Sequence, residues 1–382
     1  MRLGLIARGD NRGLGQQTWM YHRNLAPAKT MVVDCPSAKP LPLRMERFPD
    51  AQIVKGIPTR NDLARFLDGV DVVLTAECAY NDNLYTMAER RGVKTVLALN
   101  YEFMTGREHP SLWAAPSLWH YDDIPSPKVH LPVPVELDRF RYTQGRGGSR
   151  SDAGKLGAAG SPFAPAPTCE GGVSQTRAGC SRPHLGTGAP PPHFLHLIGR
   201  PAVVKGVERQ GTVDLLKALQ YVREDITVTI RCQEPGYVNS LIGQHRIRTP
   251  KNVVLRVDSG DVENYWDCYT EGDVMVLPRR WGGLSLPTNE AIAAGMPCLM
   301  PDISPNNTWL PDSWLFPAVK AGEFQAKQAV TFYRTDPVVL AAKLDEYARL
   351  QPSSWVGDVQ RLQHELSWQT LKPRYEEVLN AV

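Results

Sequence analysis

Two cations stand close together in the glycine-flanked segment 196–206, directly after an apolar run that predicts a buried strand. Arg200 follows Gly199 and Lys205 precedes Gly206. A guanidinium offers a fork of donors and an ammonium offers a point charge. On one loop they could neutralise a diphosphate as it departs, which is electrostatic stabilisation of a developing anion. By itself this pattern is weak, because any surface loop can carry two cations.

A second segment with chemical potential covers residues 273–297. Gly282, Gly283 and Leu284 follow its apolar strand, and glycines let backbone N–H groups approach a ligand without a Cβ in the way. The helix predicted next has free N–H groups and a positive dipole end that suit phosphate. Glu290, one turn into that helix, could accept two hydrogen bonds from a cis-diol such as that of a ribose. The alternative is an ordinary exposed glutamate on a crossover helix.

The first third of the chain also carries polar residues and glycines after its predicted strands. The carboxylates among them could orient or deprotonate an acceptor hydroxyl, or they could be loop caps and salt-bridge partners. The glycines form a turn after the first strand. The candidates here are Arg8, Gly13, Gly15, Glu77, Asn100 and Glu102.

The spacing of the histidines and cysteines does not indicate a metal site. The nine histidines form no convincing cluster, and the seven scattered cysteines form no Cys-x-x-Cys pair. Reduced thiols are therefore expected, with neither a disulfide framework nor a zinc site. We expect no metal and no required cofactor.

Strand and helix patterns alternate on both sides of one unusual segment. Strands are predicted at 3–7, 194–198 and 273–277, and helices at 207–222 and 288–294. This alternation is typical of parallel βαβ units. In open parallel sheets, ligands bind beyond the carboxyl ends of the strands, where the candidate residues stand.

Residues 141–193 contain 11 glycines and seven prolines in 53 positions, with few large apolar residues. Such composition is typical of a low-complexity linker. The predicted organisation is an acceptor lobe at 1–140, a linker at 141–193 and a donor lobe at 194–364. A C-terminal helix at about 365–382 could pack back on the first lobe. The fold class is α/β, with two Rossmann-like lobes facing a cleft.

The two chemistry-bearing segments together resemble the donor half of a GT-B glycosyltransferase of the family 4 type. The resemblance implies that Arg200 and Lys205 bind the diphosphate of a nucleotide sugar and that Glu290 binds its ribose. The first glutamate of the family's Glu-x7-Glu signature, which sits beside the transferred sugar, falls on Gly282, so this chain departs from the pattern. Segments 71–80 and 94–103 resemble a divergent subgroup common in phage genomes.

The expected activity is transfer of a sugar from a nucleotide-diphosphate sugar to a hydroxyl acceptor, with retention at the anomeric carbon. The alternative is a non-catalytic nucleotide-sugar-binding or assembly protein, which the glycine at position 282 favours. A dehydrogenase ranks low, because the loop at Gly13 and Gly15 lacks the third glycine of a dinucleotide fingerprint.

The acceptor is left open between a modified DNA base, a virion protein and a glycan. Outside the linker the charges nearly balance, so no broad basic face is predicted. No apolar stretch approaches the roughly 20 residues of a membrane span, and the first apolar run is too short for a signal peptide. A cytoplasmic location is expected, the host cytoplasm if the chain is phage-encoded.

Overall fold

A computed structural model describes residues 1–35, 42–138, 191–262 and 264–382. They form two lobes, each built on a parallel sheet. The predicted linker at 141–193 lies outside the described residues except for 191–193, of which His193 already opens the first strand of the second lobe. None of the helices in the described parts is both long and apolar enough to span a bilayer.

The first lobe has a seven-stranded sheet in the order β3-β2-β1-β4-β5-β6-β7, and every neighbouring pair is parallel. The strand order reverses between β1 and β4, which are both fully buried. Such a reversal opens a crevice at the carboxyl ends of the strands. The elements are β1 (Leu3–Ala7), α1 (Gly13–Leu25), β2 (Lys29–Asp34), β3 (Gln52–Lys55), α2 (Arg60–Leu67), β4 (Val72–Ala76), α3 (Asn83–Glu89), β5 (Lys94–Ala98), β6 (Leu112–Ala115) and β7 (Lys128–His130).

The second lobe repeats this plan with a six-stranded parallel sheet in the order β12-β11-β8-β13-β14-β15. Its strand order reverses between β8 and β13, and two antiparallel hairpins, β9–β10 and β16–β17, stand outside the sheet. The elements are β8 (His193–Gly199), β9 (Val203–Val204), β10 (Val207–Glu208), α4 (Thr212–Ala218), β11 (Ile226–Cys232), α5 (Tyr237–Gln244), β12 (Val253–Ser259), β13 (Val274–Val276), α6 (Leu286–Ala293), β14 (Cys298–Pro301), β15 (Leu315–Phe316), β16 (Val319–Gln325), β17 (Ala329–Arg334), α7 (Pro337–Arg349), α8 (Val356–Leu366) and α9 (Trp368–Ala381).

The helix predicted at 207–222 is wrong in its first part. A two-residue turn at Lys205 and Gly206, with φ of 50° and 78°, instead joins β9 to β10. Left-handed backbone at both turn residues matches the twist of a hairpin. The helix α4 begins only at Thr212, whose backbone N–H donates to the buried Glu208 carboxylate at 2.9 Å. The glycines at 206 and 211 were the sequence signal for this later start.

The last helix, α9, returns to the first lobe. Its apolar residues Trp368 and Tyr375 belong to the core that also contains strands β1 and β4. The Tyr375 hydroxyl donates to the carbonyl of Pro132 at 3.0 Å and lies 3.2 Å from the hydroxyl of Tyr21 on α1. The chain therefore crosses between the lobes a second time.

The two lobes touch directly around the loop that follows β13. A Cβ at Gly283 would lie 2.7 Å from Oγ of Ser117 and 3.1 Å from the Trp119 ring, both in the first lobe. On α6, the Asn289 side-chain amide donates to the carbonyl of Val133 at 3.1 Å. The hydrogen bond and the close approach at Gly283 hold the second-lobe loop against the first lobe.

Candidate functional site

A cavity of about 680 Å³ lies between the lobes. Loops that follow strands of both sheets line it, as the reversal of strand order in each lobe predicts. Seven of the residues singled out in the sequence are part of its lining: Arg8, Gly13, Glu77, Asn100, Arg200, Leu284 and Glu290. Five others lie outside the lining: Gly15, Glu102, Lys205, Gly282 and Gly283.

Helix α6 points its amino end at the cavity. Ser285, Leu286 and Pro287 line it there, and proline in the first turn costs the helix no hydrogen bond. Leu286 carries the first backbone N–H of the helix, whereas Pro287 has no N–H and the N–H of Thr288 donates to the carbonyl of Ser285 at 2.9 Å. The N–H of Leu286 and the positive end of the helix dipole can receive an anionic group.

Glu290 lines the same cavity from the second turn of α6 and is only 5% exposed. The buried hydroxyl of Tyr269 donates to its Oε2 atom. Burial raises the pKa of Glu290 to about 7, against hydrogen bonds from Tyr269 and Tyr265 that lower it. The carboxyl thus has neutral hydroxyl partners, and it can accept further hydroxyl donors from a ligand.

Arg200 and Lys205 are close in sequence but lie in different places relative to the cavity. Arg200 lines the cavity. Lys205 sits at the exposed tip of the β9–β10 hairpin, outside the cavity lining. The hairpin separates them because its turn carries Lys205 away from the end of β8.

Arg209 is a cavity residue that the sequence reasoning missed, since it lies inside the helix predicted at 207–222. The hairpin places it next to the loop after β13, where the N–H of Arg280 donates to its carbonyl at 2.8 Å. Its Nη2 atom donates to Oε1 of Glu102 at 2.8 Å. This ion pair joins the second lobe to the first.

The two candidate carboxylates of the first lobe play unequal parts. Glu77 lines the cavity, and the Asn100 side-chain amide donates to its Oε1 atom at 3.1 Å. Glu102 lies outside the cavity lining, is only 6% exposed and forms an ion pair with Arg209. Burial and then the charge of Glu102 raise the pKa of Glu77 to about 7. Glu77 is therefore the first-lobe carboxyl suited to exchange a proton near neutral pH.

Gly282 occupies its position for a reason visible in the structure. Its φ of +115° strains any other residue. A Cβ there would clash with Nη2 of Arg209 and would lie 2.7 Å from Nη2 of Arg279. Two guanidinium groups therefore fill the space that a side chain at this position would need.

The two glycines of the first lobe serve close packing. A Cβ at Gly15 would clash with the carbonyl of Asp10, so Gly15 lets α1 start against the preceding loop. Gly13 faces the second lobe, and a Cβ there would lie 3.4 Å from Leu286. Asp10 accepts from Arg8 at 3.1 Å, which fixes the Arg8 guanidinium at the cavity edge.

His196 is the buried histidine at the centre of the second lobe. Its Nδ1 atom lies 2.8 Å from the carbonyl of Val276, and its Nε2 atom lies 3.1 Å from Oγ1 of Thr212. Burial lowers the pKa of His196 to about 4, so the ring is neutral and structural. Within the described residues, no group of three or more histidine, cysteine or acidic side chains could hold a metal ion.

Comparison with known proteins gives matches to solved structures alone. No family model matches the chain, and no curated protein sequence matches it. Anabaena HepE in complex with UDP and glucose superposes with a TM-score of 0.64 at 11% identity, with 100% of both chains covered. Sucrose-phosphate synthase from Thermosynechococcus elongatus gives 0.59 at 12% identity, again with 100% of both chains covered. The apo lipopolysaccharide outer core galactosyltransferase WaaB gives 0.58 at 11% identity, with 99% of this chain and all of the other covered.

The fold is GT-B. The superpositions and the two all-parallel sheets confirm the fold class expected from the sequence. At 11–12% identity the likeness establishes the architecture, and the reaction has to be argued from the cavity itself.

Proposed function

We propose that this protein is a glycosyltransferase that moves a sugar from a nucleotide-diphosphate donor to a hydroxyl acceptor. The observation that carries the proposal is the interlobe cavity, which combines guanidinium groups, a helix amino end and a buried carboxyl with hydroxyl partners. Its arginines are Arg8, Arg12, Arg200, Arg209, Arg231 and Arg279. Similar structures bound to UDP and glucose support a donor of this class.

The diphosphate is assigned to Arg200 and the amino end of α6. Both face the cavity from the second lobe. Positive charge placed in advance where the leaving group gains negative charge stabilises the transition state. The family resemblance adds Lys205, which lies at the exposed hairpin tip outside the cavity lining. These groups supply the charge for departure, and the proposed reaction includes no metal.

Glu290 is assigned to the ribose. A carboxylate accepts two hydrogen bonds from the adjacent hydroxyls of a ribose ring, and such charge-assisted bonds are strong. Tyr269 holds the Glu290 carboxyl in place while it faces the cavity. This arrangement fixes the nucleoside at the second lobe.

Glu77 is assigned to the acceptor hydroxyl. It lines the cavity from the first lobe, and Asn100 holds it by a hydrogen bond of 3.1 Å. With a pKa raised to about 7 it is partly ionised near neutral pH and can take the proton of the acceptor hydroxyl as that hydroxyl attacks the sugar. Glu102, which touches Arg209 behind the lining, positions the site. A retaining outcome and membership of a family 4-like, phage-type subgroup are part of the proposal.

Thermal stabilisation by a panel of nucleotide sugars tests donor binding first. A ligand at 100 times its dissociation constant adds about 2.7 kcal/mol to the stability of the folded state. The expected result is a rise in Tm with at least one nucleotide sugar, and a much smaller rise for Arg200→Ala with the same ligand. If no nucleotide sugar or nucleoside diphosphate stabilises the protein, the proposal is wrong.

Release of nucleoside diphosphate then separates the enzyme from a binding protein. The protein should split a nucleotide sugar that binds, releasing nucleoside diphosphate slowly with water as the acceptor. The release should be faster with an acceptor from a panel of glycans, virion proteins and modified DNA. Binding without release for any acceptor would support the non-catalytic alternative that Gly282 raised.

A further inference from the structure

Four charged groups meet where the two lobes close on the cavity. We call them the arginine–carboxyl cluster: Arg209 and Arg279 from the second lobe, Glu77 and Glu102 from the first. The Arg209 guanidinium donates to Glu102 at 2.8 Å. The charge of Arg279 interacts with both Arg209 and Glu102, and the charge of Glu77 with Glu102 and Arg209. Three of the four, all but Glu102, line the cavity.

The cluster carries more positive than negative charge. Burial, and then the charge of Arg209, hold the pKa of Arg279 well below its usual value, and Glu102 opposes this only in part. Glu77, whose pKa burial raises to about 7, is only about half ionised at neutral pH. Two adjacent guanidiniums therefore share Glu102 and a partly ionised Glu77. An anionic group in the cavity would relieve their repulsion.

The arginine pair is held in a fixed position. Arg209 and Arg279 each donate Nε to the carbonyl of Trp281, at 3.4 and 3.1 Å. Arg280, next to Arg279, forms a buried two-bond ion pair with Asp214 at 2.8 and 3.1 Å. Groups held in place before binding lose little conformational freedom when a ligand arrives.

Glu290 and the arginine–carboxyl cluster have separate surroundings within the cavity. The groups that shift the pKa of Glu290 are Tyr269 and Tyr265. Those that shift the pKa of Glu77 are Glu102, Asn100, Arg209 and Arg8. We place the ribose at Glu290 and the diphosphate at Arg200 and α6, and we therefore assign the remaining part of the donor, its sugar, to the cluster.

We propose that Arg209 and Arg279 bind a carboxylate on the transferred sugar, so that the donor is a nucleotide-activated hexuronic acid. The inference rests on the proposed function and specifies its substrate class. A carboxylate is planar and accepts parallel hydrogen bonds from a guanidinium fork. Glu77 and Asn100 stand beside the pair and can hydrogen-bond the sugar hydroxyls. The same pair could instead bind a donor phosphate, so the test has to tell the two apart.

Matched donor pairs that differ only at the sugar C6 position test this inference. UDP-glucose is compared with UDP-glucuronate, and GDP-mannose with GDP-mannuronate, by calorimetric titration. UDP and GDP alone serve as references. In the pair with the preferred base, the wild-type protein should bind the uronate about 10- to 100-fold more tightly than the hexose, the scale of one or two hydrogen bonds between charged groups.

Arg279→Gln locates the anion. Its affinity for the uronate should fall to the level of the hexose, while its affinity for the nucleoside diphosphate should stay within about threefold of wild type. Arg279→Lys, which keeps the charge but loses the fork, should retain part of the preference. Arg231→Gln is the matched control, because Arg231 also lines the cavity but pairs with Asp258 at 3.4 Å. It should keep the full preference.

Each other outcome is decisive. Equal loss of nucleoside diphosphate and uronate binding in Arg279→Gln would place a phosphate at the pair and overturn the inference. Equal wild-type affinity for hexose and uronate would overturn it too, with the proposed function intact. If neither these ligands nor the nucleotide sugars of the thermal-stabilisation panel bind, the proposed function itself fails. A circular dichroism spectrum and Tm of each unliganded variant identify any that do not fold, and Arg279→Lys then decides the inference.

Discussion

The Glu290 end of the cavity and the arginine–carboxyl cluster differ in the partners of their buried ionisable groups. Glu290, Tyr265 and Tyr269 all belong to the second lobe, and the partners of the carboxyl are neutral hydroxyls. The cluster draws charged groups from both lobes, and Arg209 meets Glu102 across the boundary. The Glu290 end, which we propose binds the nucleoside, takes these groups from one lobe. The cluster is complete only when they are together.

This difference has a functional consequence. The groups that hold Glu290 come from the second lobe, so the proposed contact with the nucleoside needs no hydrogen bond from the first lobe. The Arg209–Glu102 pair, by contrast, forms only where the two lobes are in contact. Binding of the donor and assembly of the acceptor side are therefore separable, and variants should affect them unequally.

The largest expected effect is on turnover in Arg200→Ala. We propose that Arg200 binds the diphosphate, which joins the nucleoside to the sugar. Removing its guanidinium should therefore weaken stabilisation of the leaving group. Turnover should fall on the order of 10²-fold, the scale of losing one preorganised electrostatic donor. Initial rates of nucleoside diphosphate release at saturating donor measure this. A rate close to wild type would remove Arg200 from the reaction.

Stability should depend on pH through Glu290. Its folded pKa of about 7 exceeds its usual value of 4.5, so its contribution is full below pH 4.5 and is lost as the pH rises through 7. Relative to Glu290→Gln, the wild-type protein should lose about 3 kcal/mol of unfolding free energy between pH 4 and pH 8. Urea unfolding of both proteins at several pH values measures it. Parallel pH curves would show that Glu290 titrates normally.

Substitutions in the ion pair between the lobes should have non-additive effects on kcat/KM. Glu102→Gln and Arg209→Gln each leave a buried partner unpaired, so the double variant should lose less activity than the sum of the two single losses. The coupling in kcat/KM should be about 1–3 kcal/mol, the scale found for residues in direct contact. Strictly additive losses would mean that the pair does not act as a unit. The same set of single and double variants should show little coupling in their affinity for nucleoside diphosphate, since the groups we assign to that ligand lie in one lobe.

Nucleoside diphosphate affinity should rise with pH through Glu290. The ribose hydroxyls donate to the ionised carboxylate, and about a tenth of the groups with a pKa near 7 are ionised at pH 6. The affinity should therefore increase roughly tenfold between pH 6 and pH 8 in the wild type. In Glu290→Gln it should be weak and nearly flat. Titration calorimetry across this range, with Glu77→Gln as the variant that keeps the dependence, checks the assignment.

The smallest expected effect is that of Lys205→Ala. The ammonium stands at an exposed hairpin tip, outside the cavity lining, so turnover should change by less than about threefold. Measured beside Arg200→Ala, this variant separates two cations that the sequence places on one loop. A loss as large as that of Arg200→Ala would instead show that the hairpin moves to the donor during the reaction.

Much of the second lobe could be predicted from local pattern. The apolar runs at 194–198 and 273–277 form buried strands, and the helix predicted at 288–294 forms as α6, which begins two residues earlier with Pro287 in its first turn. Arg200 and Glu290 follow those elements at short range, so their place in the cavity is fixed by a few residues of chain. The alternation of strands and helices was likewise sufficient to predict two parallel sheets.

Only the tertiary structure determined the arginine–carboxyl cluster. Arg209 stands at the cavity because Gly206 and Gly211 divide an apparent helix into a hairpin and a shorter helix. Its guanidinium and that of Arg279 occupy the space left at Gly282, and Glu102 arrives from the other lobe. Local spacing encodes strands, helices and the residues at their ends. Which distant charges meet depends on how the two lobes close, and that depends on packing between surfaces far apart in the chain.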